Sequence, residues 1–429
     1  MNKNENAWSI LFEKYQILDQ VHENGKYVIK SEVINTLRES RLMTKFDHAA
    51  NLPEIFRKNK LAILPISRGS YAIGDFEVYQ KQNYSHSLKG KSVPFPEEIQ
   101  SLNPRKIFSE GAAIHCAYLT GMLENIVGEK LSPTISGKMS TSDFDFSIRA
   151  LKRPMPHILQ VSNSQCEIDM GYEGKDSLVL IEAKNSLCED FIIRQLYYPY
   201  RLWQRQISKK VIPIFLSFSN DTFHFFKYEF LDLYDYNSIQ LISQYNFRID
   251  SEKIILKDLR DLWERTLPTK ENAFPFPQAD KFERIVDLLS LLSQGEREKE
   301  FISENYDFDP RQTQYYSTAG KYLGLIESHG KNYALSVKGQ NIMGCSFKQK
   351  YLGLAEAILS QDIFHQAFGY YLENDQAPSR EWIFENMRKN QLENQVQNQL
   401  QNLQSESTLR RRAQTALAWV EWIYNLTGE

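Results

Sequence analysis

Between Gln165 and Lys184 the chain reads QCEIDMGYEGKDSLVLIEAK, two extended-looking runs separated by Gly171 and Gly174. In a strand successive side chains face opposite ways, and glycine lets the chain reverse between two of them, so the spacing predicts a hairpin. On its second strand Leu178, Leu180, Glu182 and Lys184 share one face, and Val179, Ile181 and Ala183 share the other. On the first strand Glu167 and Asp169 lie together, opposite Ile168. Carboxylates from two neighbouring strands, with an amine beside one of them, can surround a single divalent ion.

The residue types fit that chemistry. A hard cation such as Mg²⁺ takes oxygen ligands in near-octahedral geometry, and one or two carboxylates with waters suit it. The cation lowers the pKa of bound water and neutralises charge on a phosphate, and a neighbouring lysine can orient or deprotonate that water. The tripeptide Glu-x-Lys alone is not distinctive: Glu173-Gly174-Lys175 also fits, but lies in the glycine turn with no apolar run before it. Glu182-Ala183-Lys184 follows the run LVLI and precedes a segment, Phe191–Trp203, that reads as a helix containing Gln195 and Tyr198.

With these residues the chain resembles the PD-(D/E)XK nuclease superfamily, and most of its length resembles type II restriction endonucleases carrying winged-helix DNA-binding segments. The resemblance maps Asp169 to the metal-binding aspartate, Glu182 and Lys184 to the (D/E)xK pair, and Gln195 with Tyr198 to a downstream Gln/Tyr motif. It implies Asp169, Glu182 and Ala183 as metal ligands, Mg²⁺ as cofactor with Mn²⁺ able to substitute, and cleavage of double-stranded DNA to 5′-phosphate and 3′-hydroxyl ends. Ile168 stands where the name-giving motif has proline. The fold it implies is an α/β restriction-endonuclease-like core with a mainly helical N-terminal module and C-terminal winged-helix and helical domains. The plain alternative is a pair of surface strands bearing a solvated Glu/Lys pair.

A further acid often precedes such strands on a helix. Ser109-Glu110 opens a segment in which Ala113, Ile114, Ala117 and Tyr118 recur at helical spacing, making Glu110 a catalytic candidate. Glu124 falls about 40° from it around a continuous helix.

Along the chain, residues 1–75 read as an N-terminal module, with helices at Trp8–Val21 and Ser31–Ser40 and a hairpin bent at Arg68-Gly69. Its stretch LMTKFDHAANLPEIF resembles the same nuclease group without an assignable catalytic role, and His48 reads as a packed or surface histidine rather than a ligand. Residues 76–270 alternate helical and strand-like segments around the hairpin, including the apolar run Val211–Phe218, and form the expected nuclease domain. The proline-punctuated linker Asn272–Pro277 leads to a winged helix over 271–345. There Phe282–Leu292 is a helix, Asp309 caps a second with Pro310 in its first turn, and LGLIES and NYALSV form the wing about His329-Gly330-Lys331.

On the Asp309-capped helix Tyr315, Tyr316, Ala319, Tyr322 and Leu323, continuing to Ile326, form the expected apolar stripe, leaving Gln314, Ser317, Thr318 and Lys321 outward. In a winged helix this outward face enters the major groove, so Gln314 can read adenine edges while Lys321 and Lys331 meet phosphates. Residues 346–429 form an expected helical, helix-turn-helix-like domain. Leu392, Val396, Leu400 and Leu403 supply a core face in its glutamine-rich stretch, and Ser407-Thr408 caps LRRRAQTALAWVEWIYNL. Leu409, Ala413, Ala416, Val420 and Ile423 face inward there, and Arg410, Arg411 and Gln414 are DNA-contact candidates, since cations in a first helical turn oppose the dipole.

The chain has 429 residues, enough for several domains, and a formal charge of −3. That total does not exclude DNA binding, which depends on local cation placement. Cys116, Cys166, Cys188 and Cys345 are scattered, giving neither a disulfide framework nor a zinc ribbon, and the start lacks a signal-peptide pattern. A cytoplasmic protein without membrane spans is expected. The function expected is a Mg²⁺-dependent restriction endonuclease of a restriction-modification system, acting as a homodimer on double-stranded DNA. The alternatives are a methylation-dependent DNA endonuclease and, from another class, an inactive DNA-binding regulator or assembly subunit.

Overall fold

The computed structural model describes residues 3–85, 90–249, 252–269, 276–305, 310–398 and 405–427, with side chains left undescribed at 303–305, 310–311 and 391–398. The chain forms two compact units, Met1–Leu102 with Ser109–Phe218 and Thr222–Arg248, and Asn103–Phe108 with Ser219–Asp221 and Ile249–Glu429. Among the described residues no helix is long and apolar enough to cross a membrane. All four cysteines are free.

The first unit is built on a seven-stranded sheet in the order Lys91–Ser92, Ile239–Arg248, Thr222–Phe230, Lys210–Ser219, Ser177–Lys184, Gln165–Glu173, Ser132–Ser140. The expected hairpin occupies the middle of this order: Gln165–Glu173 runs antiparallel to Ser177–Lys184, which pairs in parallel with Lys210–Ser219. A strand with partners on both sides and apolar cover reads as a nearly continuous hydrophobic run, which is why SLVLIEA is buried throughout. Leu178, Leu180 and Ile168 pack with Tyr200 and Trp203 of the helix Arg194–Gln204. Tyr172, the cross-strand partner of Val179 and hence on the other face, stacks on Tyr118 of the helix Glu110–Leu119, with ring centroids 5.0 Å apart.

These two packings expose an irregularity in the Gln165–Glu173 strand. Ile168 and Tyr172 are four residues apart and would share a face in a regular strand, yet they pack on opposite ones. The register against Ser132–Ser140 breaks between them, where Ile135 opposes Gly171 and Gly137 opposes Ile168. Three steps on one strand thus face two on the other. Asp169 sits in that bulge, a device that re-aims a side chain.

Several expected elements are divided. The helix expected over Trp8–Val21 is two, Lys3–Lys14 and Ile17–Asn24, because Gln16 between them takes a left-handed conformation. Ser31–Ser40 likewise yields Ser31–Asn35 and a separate Ser40–Met43. The segment expected to be helical from Phe191 begins as the short strand Asp190–Ile192, paired with Tyr79–Lys81, and turns helical only at Arg194. The helix of Glu110 ends at Leu119, and Gly121 turns left-handed, so Glu124 lies in a separate helix, Met122–Val127. It accepts from the Leu131 amide rather than sharing Glu110's face.

In the second unit the helix Phe282–Leu292, the strand Arg297–Glu298, the helices Lys299–Asn305 and Pro310–Tyr322, and the strands Ile326–His329 and Asn332–Leu335 follow in order. The three strands form one sheet with Asn332–Leu335 in the middle. The expected stretches 271–345 and 346–429 share one hydrophobic core, in which Leu288 and Leu323 lie with Ala413, Val420 and Ile423. The helix Glu406–Asn425 is capped by Ser405, whose hydroxyl accepts from the Thr408 amide, and not by Ser407-Thr408. Residues 272–275 of the expected linker, the expected cap Asp309, Leu400 and Leu403, and the side chains of Leu392 and Val396 lie outside the described residues.

Candidate functional site

The paired ladder between the two hairpin strands runs from Leu178 opposite Glu173 to Ile181 opposite Met170. At the next step the Asp169 carboxylate itself accepts the Ala183 amide, Oδ2 to N 2.8 Å, so a side chain takes the place of a ladder carbonyl. Lys184 Nζ donates to Glu182 Oε1 at 2.5 Å and to the Ala183 carbonyl at 3.2 Å, and lies 3.8 Å from Glu110 Oε1. Gln195 Nε2 donates to the same Glu182 oxygen at 2.5 Å, while Gln195 Oε1 is buried without a hydrogen-bond partner among the described residues. The five expected catalytic residues, Glu110, Asp169, Glu182, Lys184 and Gln195, therefore meet around one ammonium group. Tyr198 is instead a packing residue, its hydroxyl donating to the Pro65 carbonyl.

Burial governs the electrostatics. Glu182 is 6 % exposed, and desolvation pushes its carboxyl well up, opposed by Lys184 and reinforced by Asp169 and Glu110. Asp169 and Glu110 are raised for the same first reason, again opposed by Lys184. Burial works against the Lys184 ammonium, but Glu182, Glu110, Asp47 and Asp169 together raise its pKa well above the ordinary lysine value. These charges hold Lys184 as an ammonium at neutral pH. Four carboxyl groups therefore surround one lysine, and once ionised they outnumber its charge, an excess a divalent cation could balance. The donor set would suit Mg²⁺: Asp169, Glu182 and the Ala183 carbonyl would all offer oxygen, and Gln195 Oε1 could accept from a coordinated water.

One contributor was not assigned from sequence. Asp47 is the residue of the LMTKFDHAANLPEIF stretch that faces the centre. Burial would raise its carboxyl, but Lys184, Lys45, Arg194 and His48 outweigh it and hold the group low. Nothing within residues 45–50 signals its place at the centre, since Glu110, Asp169 and Lys184 lie more than sixty positions away. His48 is buried, as the packed reading expected, with Nδ1 2.5 Å from the Asp190 carbonyl and Nε2 3.9 Å from Cys188 Sγ.

The DNA-contact candidates lie in the second unit. Gln314 is exposed but engaged, accepting from Lys299 Nζ at 3.1 Å and donating to Thr318 Oγ1 at 3.4 Å. Lys321 Nζ lies 4.9 Å from the Tyr333 ring centroid, and Lys331 is exposed at the hairpin tip. Ser317 corrects the expectation: it is fully buried, its hydroxyl bonded to the Gln314 carbonyl, so it cannot touch DNA. Tyr315, expected in the core, is exposed instead. The buried arc runs through Thr313, Tyr316, Ser317 and Gly320 because the strand Ile326–His329 approaches there, where a Cβ on Gly320 would strike Ile326. Arg410 is paired with Glu381 at 2.8 Å and Glu406 at 3.0 Å, which offsets its cost in the first turns of the helix; Arg411 is exposed and Gln414 half-buried.

Three families match successive parts of the chain. Residues 5–73 match a domain of unknown function (DUF6996), residues 74–248 another (DUF6997), and residues 284–428 a third (DUF7226). No curated protein and no solved structure matches. Glu110, Asp169, Glu182, Lys184 and Gln195 all fall in the second segment, Asp47 in the first.

Proposed function

We propose that the protein is a divalent-metal-dependent endonuclease of the PD-(D/E)XK type that hydrolyses phosphodiesters of double-stranded DNA. The observation that carries this reading is the meeting of Asp169, Glu182 and Glu110, from two strands and a helix, around the Lys184 ammonium. Asp169, Glu182 and the Ala183 carbonyl would hold Mg²⁺ or Mn²⁺. When bound, the cation supplies Lewis-acid neutralisation of charge on the phosphate. Hydrolysis forms one P–O bond from water as the P–O3′ bond breaks; the water loses a proton to solvent and the departing oxygen gains one, leaving 5′-phosphate and 3′-hydroxyl ends. Lys184, protonated, donates to the attacking water or a non-bridging oxygen and so orients rather than deprotonates. Gln195 fixes the rotamer of Glu182 through its amide.

The order of helices and strands from Phe282 to Leu335 is that of a winged helix, which supports a DNA-reading role for the second unit. The test is incubation of the full chain with methylated and unmethylated DNA and Mg²⁺ or Mn²⁺, with gel shifts in parallel. Asp169→Ala and Glu182→Ala should lose cleavage and keep DNA binding; near-normal cutting by either refutes the site. Cutting confined to methylated DNA selects the methylation-dependent alternative, and binding without cutting by the unaltered protein selects the inactive regulator.

A further inference from the structure

Resting on the nuclease reading above, we propose that the N-terminal module is part of the catalytic centre: Lys45 contacts a phosphate of the DNA, and Asp47 is a positioning residue that holds Lys45 and Lys184 in place. The segment carrying both is docked rather than draped. The Ile192 amide donates to the Asp47 carbonyl at 2.9 Å, the Ala49 amide to Asp190 Oδ1 at 3.0 Å, and the Tyr79 hydroxyl to the Phe46 carbonyl at 2.9 Å. His48, with Nδ1 against the Asp190 carbonyl, completes the seam. An N–H must sit on that nitrogen to satisfy the carbonyl, so the imidazole serves as a fastener.

The seam fixes where Asp47 can reach. Two residues beyond Ile192 the helix Arg194–Gln204 begins, and its Gln195 grips Glu182. Bonds to Asp190 and Ile192 therefore bring the loop towards the Asp169/Glu182 pair. The electrostatic environments agree: Asp47 is felt by Lys184, Glu110 and Asp169, and Lys45 by Glu110.

Chemistry requires such a loop. A phosphodiester approaching three carboxylates is repelled, and the one ammonium among them is already bonded to Glu182. Lys45 lies 3.9 Å from Asp47 with its side chain 66 % exposed, so its amine is tethered at the rim yet open to a ligand. Asp47, 3.9 Å from Lys45 and among the charges that act on Lys184, would restrain both.

The experiment uses the full chain in two arms. In a Glu182→Ala background, Lys45→Ala should weaken DNA binding and lower its salt slope by about one phosphate contact, and Lys45→Arg should restore both. With Glu182 intact, Asp47→Asn should lower kcat by about 10–100-fold, and Asp47→Glu should recover part of it. Asn keeps the backbone carbonyl that Ile192 uses, so melting should match the unaltered protein. Wild-type binding, salt slope and kcat in the variants, in a protein whose cutting depends on Glu182, overturn this proposal alone. A protein that neither cuts nor binds DNA overturns both readings.

Discussion

Replacing Lys184 by methionine keeps the apolar stem and removes the charge, and the structure makes the consequence strongly pH-dependent. The ammonium side chain is 14 % exposed and bonds a Glu182 side chain that is 8 % exposed. Removing one partner of a buried pair costs about 3–5 kcal/mol when the other stays charged. Glu182 can escape that cost by keeping its proton, and burial already favours this. A carboxyl whose folded pKa lies above its unfolded value of about 4.3 destabilises the fold progressively as pH rises between the two values, because only the unfolded chain ionises. Losing Lys184 raises the folded pKa further and extends that decline. The variant should therefore track the unaltered protein from pH 5 to about 8, where Glu182 ionises beside the lysine in the unaltered fold, and fall behind it above that by about 1.4 kcal/mol per pH unit towards the full deficit, in the first unit only. Urea unfolding at pH 5, 7 and 9 measures it, with single-turnover cleavage falling by at least about a hundredfold if Lys184 orients the attacking water. A deficit independent of pH, or none, would refute the coupling; wild-type turnover would refute the role.

Other outcomes follow from the second unit and from local geometry. Lys321→Ala should weaken DNA binding with a salt slope lower by about one, whereas Gln314→Ala should change sequence preference; binding curves across salt and a selection on randomised sites check both, and no change in either moves this unit to protein contacts. Gly339→Ala should destabilise the second unit by about 1–3 kcal/mol, because a Cβ there meets the Leu325 carbonyl; chemical denaturation shows it. Gly111→Ala, in the helix Glu110–Leu119 with open space at the Cβ, should stabilise by about 0.5–1 kcal/mol in the same assay.

What the sequence makes legible tracks the range of the interaction. Glu182 and Lys184 are two residues apart, and strand alternation alone brings them to one face. The helix carrying Gln195 is readable from its composition, although its first turn is lost to Asp190–Ile192, which only pairing with Tyr79–Lys81 makes a strand. The placement of Asp169 depends on a bulge defined against Ser132–Ser140, a register invisible in either strand. Ser317 misleads for a related reason. A serine reads as outward and a tyrosine as inward, but a close strand selects small side chains for the buried arc and pushes Tyr315 out.

Asp47 is the extreme case. Its acidic neighbours are Glu110 and Asp169, drawn from segments that are brought together only when the Lys45–Ala50 loop is fastened to Asp190–Ile192. The match boundary at residues 73 and 74 separates that loop from every other member of the centre, yet Met1–Leu102 and the strands of the sheet form one compact unit. The carboxylates are costly to bury and repel one another, so the centre cannot itself drive this association. The stabilisation has to come from apolar contacts elsewhere, such as Ala62, Leu64 and Ala72 of the N-terminal hairpin packed with Phe144, Phe146 and Tyr198. The core closes the unit, and closure presses mutually repelling acids around one lysine. On the proposed reading, that excess of negative charge would favour a divalent cation there and would tie the assembly of the centre to the folding of both matched segments together.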